Sequence, residues 1–145
     1  MPSALTHMVW IGRLRLVLNS EETDMVFKID KPTIIEATGN KPKVIEEYIG
    51  LVNSQTTDLS IARMVSSAGW KEPGQKPEFD EYTVVLKGML RVKTKTQTLD
   101  IHAGEAIIVK ANEWIQYSTP HDDGAEYIAV CLPAFSPDIV NRDNE

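Results

Sequence analysis

The sequence predicts an all-β fold, and three observations carry that prediction. Glycine and proline, eight of each, are dispersed along the chain rather than clustered, as expected where many turns join short elements. From residue 31 onward, short alternating or β-branched runs recur between turn residues about every eight to twelve positions, the spacing of antiparallel sandwiches and barrels. The chain has 145 residues, 42% hydrophobic and 25% charged, which suits one globular core and argues against disorder or a coiled coil.

Residues 1–24 differ in pattern from the rest of the chain and read as an N-terminal extension, with 25–145 as the domain proper. Within the extension, the alternation from Arg13 to Leu18 suits an extra edge strand. Pro32 to Glu36 is β-branched and stops at the turn formers Thr38 to Pro42. Val44 to Val52 fits a helix almost as well as a strand. We read it as a strand, because the turn Asn53 to Thr57 leads into the clearly β-like Asp58 to Val65. Ser66 to Pro77 contains Gly69, Pro73, Gly74 and Pro77, so no regular element crosses it, and irregular loops of this kind often carry function. Strands are then expected at Glu81 to Lys87, Leu90 to Thr94, Thr98 to His102, Ala106 to Lys110, Ile115 to Ser118 and Glu126 to Leu132, with a turn at Gly88. Pro133 to Asp138 is expected to cover one mouth of the fold, and Arg142 to Glu145 to be loose.

Charge narrows the partners. A net charge of −6 argues against nucleic acid, whose binding depends on Lys and Arg displacing counterions. Arg91 to Lys95, the most cationic stretch, alternates like the solvent side of a strand. The most apolar stretch, Met8 to Leu18, is interrupted by Arg13 and Arg15, so neither a membrane span nor a signal peptide is expected. The single cysteine, Cys131, lies in an apolar run and reads as a small buried hydrophobe. A cytoplasmic protein is therefore expected.

Two segments carry a resemblance. Gly69, Gln75, Pro77, Glu81 and Gly88 hold the spacing of a motif written Gly, five residues, His-x-His, three or four residues, Glu, six residues, Gly. Gly104 opens a second motif, usually completed by Pro-x-Gly, His and Asn, where this chain has Lys110, Asn112, Ile115 and Thr119. The chain thereby resembles the cupin superfamily, and the resemblance implies a jelly-roll β-barrel with a central pocket and commonly a homodimer. In the family the two histidines of the first motif, its glutamate and the histidine of the second hold a metal. Here Gln75, Pro77 and Ile115, or Gln116 if the alignment slips by one, stand in the histidine positions, and proline and isoleucine offer no side-chain donor, so neither a metal nor another cofactor is expected. His102 and His121 fall in hydrophilic turns, and Glu78 and Asp80 beside Glu81 read as a solvated strand edge more readily than as a cation site.

Alternate residues of a strand share a face, so Gln75 and Glu81 are candidates for one inner wall. A carboxyl enclosed in an apolar barrel without a cation can serve as general acid or base, which is the role foreseen for Glu81. The competing reading ties it to Arg63, placed on the inner face with Leu59, Ile61 and Val65. Arg63, Gln75 and Tyr117 are candidate polar contacts to a ligand, and Trp114 a candidate stacking surface. The expected function is binding of a small polar molecule. The alternative is an isomerase, epimerase or lyase-like enzyme acting on a small sugar or carboxylated substrate through Glu81, as acid/base or weak metal ligand.

Overall fold

The structure, a computed structural model, describes residues 6–11, 14–19 and 24–144. Its strands are β1 (Thr6–Ile11), β2 (Leu14–Asn19), β3 (Thr33–Ile35), β4 (Lys43–Ile49), β5 (Ser60–Ser66), β6 (Trp70–Lys71), β7 (Asp80–Thr94), β8 (Thr98–His102), β9 (Ala106–Val109), β10 (Ile115–Thr119) and β11 (Ala125–Leu132). No helix occurs among the described residues. The extension expected over residues 1–24 lies partly outside them. Within it, β1 and β2 pair antiparallel in a two-stranded sheet of their own.

The remaining strands form one antiparallel system ordered β3-β4-β5-β11-β7-β10-β6, with β8 and β9 also pairing with β7. Its organiser is β7. The first half pairs with β11 and β9, the second with β10 and β8. Two strands divided by a turn at Gly88 were expected there, and a single strand of 15 residues is found. Gly88 adopts φ +73°, which lets the chain bend without leaving the ladder, and Met89 N donates to Gly124 O across the bend at 3.2 Å.

Cross-strand pairing sorts the side chains into rows. Ser60, Cys131, Glu81 and Val109 face one another in succession across β5, β11, β7 and β9, and Ala62, Ala129, Thr83 and Ile107 form the next inward row. The intervening residues point outward, where Ile49, Ile61, Val130, Tyr82 and Ile108 make a continuous apolar row across five strands. Trp70, Val85, Leu90, Val92 and Ile115 are wholly buried in the main core. Burying an aliphatic side chain of this kind is worth about 1.5–3 kcal/mol, so this cluster dominates the cohesion of the barrel. Tyr117 and Tyr127 belong both to this core and to the wall of a cavity beyond it.

Candidate functional site

The cavity has a volume of about 320 Å³, at the small end of ligand pockets, which run from about 300 to 1,000 Å³. The inward rows of β4, β5, β7 and β11 form its floor, and Glu72, Gln75 and Phe79 approach from the irregular segment before β7. Ile35 to Thr38, Phe135, Pro137 and Arg142 complete its lining. Phe135 and Pro137, from the stretch expected to cover a mouth, thus take part in the cavity wall. Arg142, expected to be loose, is held by a backbone bridge to Gln75 and stands over the Phe135 ring.

The two motif segments meet. Gln75 and Ile115 exchange backbone hydrogen bonds of 2.8 Å in each direction, so the first-motif position and its second-motif counterpart are neighbours. Glu81 is buried on the inner face of β7. Its Oε1 accepts from the Tyr117 hydroxyl at 2.5 Å and its Oε2 from the Cys131 thiol at 3.4 Å. Cys131 faces Glu81 directly across the β11–β7 ladder, which explains the contact. Burial, together with the Glu81 carboxylate, pushes both the Cys131 thiol and the Tyr117 phenol up. Both therefore act as neutral donors and not as nucleophile or phenolate.

Arg63 is a correction. It lies on the outer face of β5, its Nε donating to Glu126 Oε1 at 2.7 Å and its Nη1 to Glu46. The physical reason is strand phase: Ser60, Ala62 and Met64 line the cavity, so their alternates Ile61, Arg63 and Val65 point out. Arg63 is thus neither a cavity residue nor the partner of Glu81. Trp114 also stands apart from the cavity wall. Its Nε1 donates to Asp143 at 2.8 Å, and its ring covers Gly74, where a Cβ would come within 2.3 Å of it. It clamps the C-terminal segment against the loop. Gln75 and Tyr117 do line the cavity.

Three charged groups escaped the sequence reading. Glu72, buried in the loop after β6, has its carboxyl pushed up to about 7, principally by burial and further by Glu81, against the opposing pull of Lys43 and Arg142. Its carboxyl makes no hydrogen bond among the described residues. Lys43 opens β4, with its Nζ 4.0 Å from the centre of the Trp70 ring. Burial works to lower its pKa, but Tyr127, Glu72 and Glu81 outweigh this, and the net direction is up. Lys43 and Arg142 have no ion pair among the described residues. No period in the sequence marked Glu72, since the burial of 72, 74, 75 and 77 in this loop follows no strand alternation.

The donor set does not fit the metal of the family pattern. Pro77 and Ile115 bring no ligand atom, and both Glu81 oxygens are engaged by Tyr117 and Cys131. Among the described residues no three His, Cys, Asp or Glu side chains converge. His102 is exposed beside Glu105, His121 is exposed, and Asp80 is taken by Lys110 and the Ala111 amide.

No protein-family model matches the chain. A curated protein, the endoribonuclease YbeY of Myxococcus xanthus, is 37% identical over 101 residues, which is 70% of this chain and 34% of that protein. The chain thus spans about a third of the length of this relative. Among solved structures, the polyketide cyclase RemF of Streptomyces resistomycificus superposes with a TM-score of 0.65 at 16% identity, covering 86% of this chain and 88% of that one. A predicted oxalate decarboxylase of Thermotoga maritima gives 0.62 at 17% identity over 75% and 99% of the two chains. The EutQ protein of Clostridium difficile gives 0.56 at 23% identity over 66% and 65%. These likenesses concern the fold alone, and they agree with the antiparallel architecture seen here: the chain has a cupin-like jelly-roll β-barrel fold.

Proposed function

We propose that the protein binds a small molecule with a polar end and an apolar body, and does so without a metal. One observation carries this reading. Gln75 Oε1 and Arg142 Nε are buried in the cavity wall with no hydrogen-bond partner, and an unpaired buried polar atom costs about 1–3 kcal/mol. A ligand that pairs them recovers that cost. The ribonuclease activity named for the Myxococcus xanthus protein is not carried over, since the chain matches a third of it and has a net charge of −6.

A thermal-shift screen of sugars, alcohols and small acids tests the reading, because any compound that binds only the folded state raises its melting temperature. Hits are expected, and Ala129→Phe, which fills the cavity from its floor, should abolish them. A screen without hits, or hits that survive Ala129→Phe, would overturn cavity binding.

The enzymatic alternative draws on Glu72, because a carboxyl poised near neutrality in a cavity can take up and return a proton. Glu81, foreseen in that role, has both oxygens occupied by Tyr117 and Cys131. Within this reading it orients the Tyr117 hydroxyl that faces the ligand.

The outer apolar row supports association of two copies. Ile108 is 63% and Val84 46% exposed on that face, and a contiguous apolar patch of this kind is typical of an interface. Light scattering is expected to report a dimer for the unsubstituted chain and a monomer for Ile108→Glu, which would bury a charge in the contact.

A further inference from the structure

We infer that the ligand of the cavity is a small organic acid with a hydroxyl group next to its carboxylate, held through Arg142 and Gln75. This rests on the binding reading above and names its chemical class.

Gln75 and Arg142 oppose each other in an antiparallel bridge, which places side chains on the same side with Cβ atoms about 4.5–5.5 Å apart. A donor, Arg142 Nε, and an acceptor, Gln75 Oε1, thus stand side by side, buried, and bonded neither to each other nor to anything else described. A ligand that satisfies both must accept from one and donate to the other. A carboxylate accepts only, whereas a hydroxyl both donates and accepts, and can serve either end of the Gln75 amide. A carboxylate with a neighbouring hydroxyl meets both demands at once.

Charge points the same way. Lys43 and Arg142 bring two cations to the cavity wall, neither in an ion pair among the described residues. The carboxyls facing them are Glu81, Glu72, Glu47 and Glu36. Glu81 is bonded to Tyr117 and Cys131. Glu47 turns away to accept from Val52 N and Asn53 N at 3.0 and 2.8 Å, and Glu36 is exposed at the rim. When Glu72 holds its proton, the inner group has one positive charge in excess, which a monoanion balances. Ile45, Met64, Phe79 and Phe135 supply an apolar surface for the body of the acid.

Calorimetric titration of the full chain with three six-carbon probes of one skeleton tests the inference: leucic acid, isocaproic acid, which lacks the hydroxyl, and the matching vicinal diol, which lacks the carboxylate. Leucate is expected to bind at least about tenfold more tightly than either of the others. Its affinity should fall as pH rises through about 7, where Glu72 becomes an anion facing the bound carboxylate. Arg142→Gln should erase the advantage of the acid over the diol, and Gln75→Leu the advantage of leucate over isocaproate.

A diol that binds as well as leucate, or leucate binding indifferent to Arg142→Gln, would overturn the ligand class while leaving cavity binding intact. The class also falls if no probe binds although the screen yields hits that Ala129→Phe removes. Silence in both experiments would overturn the two together. The three-probe comparison on the unsubstituted chain decides the class even if a variant fails to fold.

Discussion

Glu72→Gln should stabilise the protein by about 3 kcal/mol at neutral pH and above, with the gain shrinking towards zero near pH 4. The ordinary glutamate value is 4.5, and burial in the cavity wall pushes Glu72 to about 7. Between those values the folded state holds a proton that the unfolded chain releases. A folded-state pKa above the unfolded one means that stability is complete below about 4.5 and is lost as pH rises through about 7. Glutamine has the shape of the protonated acid without its titration, so the variant keeps the low-pH stability throughout. Denaturant unfolding of both proteins at several pH values between about 4 and 8 checks this. Parallel curves would show that Glu72 ionises in the fold as freely as in the unfolded chain. A functional site would account for retaining a destabilising carboxyl, since the glutamine variant lacks the pH-dependent charge that faces the ligand.

Gly88→Ala should cost about 3 kcal/mol or more, while Gly104→Ala should cost about 1 kcal/mol. Both glycines have positive φ, +73° and +86°, so both substitutions carry the backbone penalty. They differ in space. A Cβ at Gly88 would lie 2.1 Å from Gly124 O, a backbone atom that cannot move aside, whereas nothing lies within 4 Å of a Cβ at Gly104. Gly88 is the corner at which β7 passes from its β11 and β9 partners to β10 and β8, so relieving the overlap means parting the ladder that joins both halves of the barrel. Thermal midpoints of the two variants separate conformational strain from collision. Equal losses would mean that the close approach to Gly124 is without consequence.

Strand positions were readable because turn chemistry is local. Thr98 to His102 coincides with β8, and the predicted strands at Ala106 to Lys110, Ile115 to Ser118 and Glu126 to Leu132 differ from β9, β10 and β11 by a residue at one end. Gly88 misled for a physical reason: one glycine permits both a turn and a bend, and only the long-range pairing of β7 distinguishes them. The all-β class was likewise legible from turn spacing, while the juxtaposition of Gln75 with Ile115 was implied only by the resemblance of the two glycine-bracketed motifs to the cupin pattern.

The face of β5 was not. Ile61 and Val65 made that face look internal and carried Arg63 with them, yet the inward residues are the small or polar Ser60, Ala62 and Ser66 with Met64. A strand that borders a cavity needs room inside, and this one carries larger apolar groups on its outer surface. The hydrophobic alternation therefore reads with inverted sense. Lys43, Glu72 and Arg142 were missed because each comes from a strand end or an irregular segment, and only tertiary closure brings the three to one cavity. Glu81 and Tyr117 were found together in the sequence, but their direct hydrogen bond depends on the way β7 and β10 curl around the core.

The thiol pressed against Glu81 also gives the barrel a built-in clock. Cys131 is the sole cysteine of the chain, 4% exposed, set in the cavity wall and held as the unreactive neutral form, so an alkylating reagent must enter the cavity or wait for the strands to part. The pace of its labelling reads access to the interior, and a compound lodged beneath it would slow that pace without any dye, tag or spectroscopic probe being added.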